Sequence, residues 1–229
     1  MQDATTAFRA RYRAQVSPRY RAWAHGGFVF ATGGVACAWM LSHIDRLDAL
    51  TLLAALCGLL TFNAAVYLVH QQLGHHKRSW AALFYARHTG DHHSFFSDRA
   101  MAFEEWRDWR VILFPPWLIL VFLAAFVAPV TWLLMRWAPH PVAWAFGAHL
   151  LMGYLLYEAF HTCHHLPDSH PLTRLPWLHH MRRLHQLHHR RDLMHTHNFN
   201  IVLPLMDGLC GTLHWEPEGP RDTPDVTQR

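Results

Sequence analysis

Histidine is the residue whose number and placement stand out. The chain has 22 in 229 residues, and 18 of them fall in the stretches 70–93 and 161–214. They group as HQQLGHH from His70, HTGDHH from His88, HTCHH from His161 and HQLHH from His185. Imidazole is a ligand for iron, zinc and copper alike, so the residue type points to a metal without naming it. Residues three and four apart share a helix face, which would aim His88 with His92, His161 with His165, and His185 with His188 and His189 at common centres. The adjacent pairs His92–His93 and His188–His189 splay apart and suit two neighbouring ions. One structural zinc closes with four ligands and leaves most of these imidazoles unused, whereas two ions taking four or five each use about ten.

Other polar residues take lesser parts in this reading. His25, His43, His140 and His149 stand alone and read as interfacial or internally hydrogen-bonded. His76, His164, His179, His180, His195 and His197 are candidate outer contacts or substitute ligands, His180 foremost. A ligating imidazole needs an acceptor for its second nitrogen, and Asp91, Glu158, Asp192 and Asp207 lie near enough in sequence to supply it. Cys163 sits among the histidines, but a thiolate suits zinc or iron–sulfur chemistry better than an oxygen-activating site. The four cysteines show no CxxC pair and imply no disulfide framework.

The elements that must position these histidines are apolar. Residues 26–42, 49–69, 111–135 and 142–160 are nearly free of charge, each about the length that spans a bilayer. The expected fold is all-α: an integral membrane four-helix bundle of two hairpins, with a histidine-rich cap at 70–110 and 161–214. Of the 20 Lys and Arg, five precede the first span, six separate the second from the third and seven follow the fourth, while Arg46 and Arg136 alone flank the short loops. By the positive-inside rule both termini and the cap are cytoplasmic. The basic arm 1–25 is too long an approach for a signal peptide, so the first span is expected to remain as an anchor. Pro115, Pro116 and Pro129 predict a kink or two part-helices in the third span, and 216–229 reads as a disordered tail. The net charge of +4 fits anionic headgroups and calls for no nucleic acid.

Taken together, His70-x4-His75, His88-x3-His92-His93, His161-x3-His165 and His185-x2-His188-His189 resemble the pattern of the fatty acid hydroxylase/sterol desaturase superfamily, over roughly residues 60 to 214. The ending HQLHHRRDLMHTHNFNIVLPLMDGLCGT is similar to that family's, with an Asn-Phe and then an Asp…Gly-Thr turn after the last histidine motif. The resemblance implies that His70, His75, His88, His92, His93, His161, His165, His185, His188 and His189 bind two metal ions. Two departures leave alternatives open. HTGDHH has three residues before its doublet rather than the more usual two, and alignment admits His76 for His75 and His164 for His161.

The resemblance further implies two irons (zinc being possible in purified protein), dioxygen as co-substrate, and hydroxylation of a lipid-like substrate: fatty acyl, sphingoid, sterol or carotenoid. Desaturation would use the same ligands. Four spans and a cap leave no room for a fused redox domain, so electrons are expected from a separate ferredoxin- or cytochrome-type protein, with Arg182, Arg183, Arg190 and Arg191 a candidate basic face for that donor or for lipid headgroups. Trp106, Trp109 and Trp117 are candidates for the boundary where substrate enters. A metal transporter would carry ionisable residues along its spans, and only His149 lies well inside one. A zinc lipid hydrolase would recruit carboxylates, and these clusters are purely histidine. The Ala- and Arg-rich composition suggests a bacterial inner membrane.

Overall fold

The computed structural model describes residues 2–217. The described residues form helices and connecting turns, with an isolated bridge between Ser97 and Ala100 and no β-strand. Six helices carry the argument: α1 (Gln2–Gln15), α2 (Ala22–Leu41), α3 (Ala49–Val69), α4 (Leu118–Leu134), α5 (His140–His164) and α6 (Pro176–His188).

Among the described residues two helices are long and apolar enough to cross a membrane, Ala22–Leu41 and the 26-residue Ala49–Gly74, in which α3 runs on into a π-helical turn. Asp48 starts α3 by accepting from the Thr51 amide at 2.8 Å. Glycines let α3 lie against α5. A Cβ on Gly58 would strike the Phe146 carbonyl, and one on Gly153 would strike the Phe62 side chain. Such small residues allow backbones to approach where apolar burial alone gives helices little reason to associate.

The third apolar segment differs from the expected 111–135. Trp109–Ile112 is a short helix of its own, and Leu113 turns extended. Phe114 precedes Pro115-Pro116, a sequence that disfavours the helical conformation, so α4 starts at Leu118. Its turn Leu123–Val127 is π-helical, directly before Pro129. A proline has no N–H to give and its ring crowds the preceding turn, and a widened turn relieves both. At 17 residues α4 is shorter than the two candidate spans.

The basic N-terminal arm, expected as a cytoplasmic segment ahead of the first span, is a helix docked on residues 95–108. Arg9, 5% exposed, donates to the carbonyls of Phe95, Ala100 and Ala102 and pairs with Glu104. Arg13 forms a two-point pair with buried Asp108 at 2.9 and 2.7 Å. At the other end Glu216, placed by sequence at the head of a disordered tail, is held by Arg190 at 2.6 Å and His214 at 2.8 Å. The rest of that expected tail, from residue 218, lies outside the described residues.

Candidate metal centre

Ten histidines converge on two adjoining clusters. His70, His75, His88, His93 and His188 bring one ring nitrogen each within 4.8 Å of one another, and so do His92, His165, His185 and His189. His161 joins the second group, its Nε2 3.2 Å from that of His92. The clusters abut where the His93 and His189 rings stack at 4.2 Å.

Local helix geometry decides which histidine joins which cluster. His70–Gly74 and Ala86–His92 are π-helical, so residues five apart come to one face. That brings His88 and His93 to a common centre, with Nε2 atoms 3.0 Å apart. It corrects the expectation, from ordinary helical spacing, that His88 shares a centre with His92. The same π turn contains the extra residue of HTGDHH. On α6, His185 and His189 meet at 3.1 Å, while His188 turns instead to His75 at 2.9 Å. Both doublets therefore divide between the clusters.

Hydrogen bonds fix the tautomers. Nδ1–H of His70 donates to the Phe199 carbonyl, that of His92 to Val111, His165 to Met101, His188 to His197 and His189 to Phe96. The Thr89 hydroxyl donates to the Gly74 carbonyl, which leaves its oxygen to accept from His75 Nδ1 at 3.3 Å. Each of these rings then presents a bare Nε2. His92 and His189 face each other Nε2 to Nε2 at 3.2 Å with no proton between them. Two lone pairs at that distance repel, and a cation placed among them turns repulsion into ligation. The site therefore fits metal ions bound by neutral imidazoles.

Burial holds the clustered rings outside the apolar helices in their neutral form: His75, His88, His92, His93, His165, His185, His188 and His189 are all lowered, burial being the first cause in each. An unfolded histidine titrates near 6.5. Below that pH the unfolded chain binds more protons than the folded one, so stability falls with pH. We expect a melting temperature level from about pH 7 to 8 that drops below about pH 6.5. Thermal melts in detergent across this range check it, and a protein that grows more stable from pH 7 to 5 would contradict it.

The remaining candidates lie elsewhere. His75 enters the cluster while His76 is exposed on the Gln71 carbonyl. His161 reaches the second cluster, and His164, fully buried behind it, has both ring nitrogens unpaired. His180 is stacked between Trp177 and Trp215, away from both clusters. None of the four carboxylates is hydrogen-bonded to a clustered imidazole; backbone carbonyls take the role expected of them. Glu158 meets the Phe114 amide, and exposed Asp192 pairs with Arg190. Asp91 is half-buried, with its carboxyl raised by burial. Asp207 accepts from the Phe199 and Asn200 amides at 2.9 and 2.8 Å and from the Thr212 hydroxyl at 2.7 Å, so it braces the loop whose carbonyl holds His70. This is the physical content of the Asn-Phe and Asp…Gly-Thr ending. Asn198 sits at φ 59° with its side chain tied to Leu184 and His214, a backbone region that asparagine tolerates better than most residues.

An apolar cavity of about 710 Å³, its open mouth included, leads to the histidines. Val66, Leu83, Phe84, Leu113, Trp117 and Tyr157 line it, and His70, His88, His92 and His161 form its inner wall. Trp117 is thus at the expected entrance; Trp106 and Trp109 pack against each other outside the lining.

Residues 55–212 match the family described as fatty acid hydroxylase. In fold the chain is similar to a solved structure described as full length scs7p with only the hydroxylase domain visible. The two share 20% sequence identity over 87% of this chain and 68% of that one, with a TM-score of 0.57. Among curated proteins none matches the sequence.

Proposed function

The chain belongs to the fatty acid hydroxylase family, and from that premise we propose that it is a membrane-embedded di-iron enzyme hydroxylating a C–H bond of a lipid. The observation that carries the metal is the His92–His189 contact, bare nitrogen to bare nitrogen at 3.2 Å. His70, His75, His88, His93 and His188 would hold one ion, and His92, His161, His165, His185 and His189 the other. An all-nitrogen, uncharged ligand set of this size suits iron, with zinc a possible occupant as purified. Two irons there would let dioxygen, two electrons and two protons convert a C–H bond to an alcohol, the second oxygen atom leaving as water.

The protein's own part is positioning and exclusion of water. Peptide carbonyls hold the imidazole tautomers, and the apolar cavity lays an acyl or isoprenoid chain against His70, His88, His92 and His161. Electrons would come from a separate ferredoxin- or cytochrome-type protein. Of the arginines expected to meet it, Arg182, Arg183 and Arg190 are occupied by Asp168, the backbone of Glu216 and Pro217, and Asp192 with Glu216, which leaves exposed Arg191. In our reading α2, α3, α4 and α5 all lie in the bilayer, in a bacterial inner membrane, with both termini and the histidines on the cytoplasmic side.

Metal analysis and Mössbauer spectroscopy of protein purified from iron-57-supplemented cells test the reading before any substrate is known. About two spin-coupled irons per chain are expected, from two ions with four or five ligands each. Zinc alone, or no stoichiometric metal, would move the assignment to hydrolysis or plain metal binding.

A further inference from the structure

Arg87 lines the cavity beside four of the clustered histidines. It lies in the π-helical segment Ala86–His92, five residues before His92, and so on the same face. Its Nη2 donates to the Arg110 carbonyl at 2.8 Å, and its remaining N–H groups have no hydrogen-bonded or ion-paired partner among the described residues. The neighbouring charge that weighs most on it is another guanidinium, Arg110. The nearby acids, Asp91 and Glu158, make no ion pair with it: Asp91 is hydrogen-bonded to no described residue, and Glu158 is turned to the Phe114 amide.

A partly buried cation next to a like charge is costly unless an anion completes it, and apart from the histidines and the Tyr157 phenol the rest of the cavity wall is apolar. We propose that Arg87 receives the oxyanion head of a single-chain lipid, so that the carbon oxidised lies within the first few from that head. The planar guanidinium fork matches a carboxylate or phosphate through two parallel hydrogen bonds. With the head on Arg87, one π turn from His92, the first carbons of the chain pass the two clusters and the rest runs outward along Leu83, Phe84 and Trp117. A sterol or carotenoid offers Arg87 no anion and is excluded as the preferred ligand.

This inference rests on the reading of the cavity as a lipid site, but its test reads binding, so it is separable from the metal count. Radiolabelled palmitic acid, its methyl ester and 1-palmitoyl lysophosphatidate are titrated against the full-length protein in detergent. The acid or the lysophosphatidate should bind at least tenfold tighter than the ester, and whichever does so identifies the head as carboxylate or phosphate. Arg87→Gln should remove that preference while leaving ester binding unchanged, and Arg87→Lys, which keeps the charge and loses the fork, should keep part of it. An ester bound as well as the acid by the unaltered protein, or a preference surviving intact in Arg87→Gln, overturns the proposal. If Arg87→Gln fails to fold, Arg87→Lys decides, and a preference unchanged there or wholly lost counts against the fork. Two irons found with no head preference would leave the oxygenase standing and remove Arg87 from it.

Discussion

Replacing His188 with alanine should reduce lipid oxidation below detection and remove about one of the two ions from each chain. The His188 Nε2 lies 2.9 Å from that of His75, and its Nδ1–H is fixed on the His197 carbonyl. Alanine therefore deletes a ligand and leaves a buried hole that no neighbouring side chain fills. Loss of even an outer partner of a ligating histidine typically costs 10–100-fold in metal affinity, and loss of the ligand costs more. His92→Ala should do the same to the other ion, since His92 meets both His161 and His189 at 3.2 Å. His43, exposed against Trp39 and Trp144, serves as the control, and His43→Ala should keep both metal and activity. Elemental analysis alongside product yield reads the result, and full activity in either cluster variant would refute the assignment.

The second large effect is expected far from any imidazole, at Asp207. It is 1% exposed and receives three hydrogen bonds. Asp207→Ala strands those donors at about 1–3 kcal/mol each before relaxation, enough to lower the melting temperature by roughly 10 °C. Metal content should fall with it, because the loop that frees itself carries the Phe199 carbonyl that orients His70. Asp192→Ala, whose carboxylate is exposed and pairs with Arg190, should change neither melting nor metal content. An Asp207→Ala protein with normal melting and two ions would show that the brace is dispensable.

The sequence made the site's chemistry legible because side-chain type was the signal: imidazoles clustered after apolar runs, and doublets that adjacent geometry must divide. It misled where the backbone departs from the ordinary helix. HTGDHH shows an extra residue but not the π turn that absorbs it, so ordinary helical spacing pairs His88 with His92 rather than His93. The role sought for Asp91, Glu158, Asp192 and Asp207 falls to peptide oxygens, which every residue carries and no composition reveals. The basic arm gives no sign of the partners of Arg9 and Arg13, which lie about ninety residues on. The last two apolar segments read as spans by content, and only their bounds escape that reading. Their helices start where Pro115-Pro116 and Pro139 allow, and α5 carries polar groups toward both ends.

The peptide acceptors also shape what genetic variation can do to this protein. A carbonyl oxygen survives every codon change, so no single substitution can delete the partner of His92, His165, His188 or His189. Loss-of-function alleles outside the histidines should therefore gather at side chains that set the course of the main chain: Asp207 and Asn198 beneath one cluster, Arg9 and Asp108 around the stretch that ends in Phe96 and Met101. A saturation screen for inactive clones would map those residues as a ring around the centre, and at the residues that supply the oxygens it would report the loss of side-chain packing, Phe96 and Phe199 being fully buried.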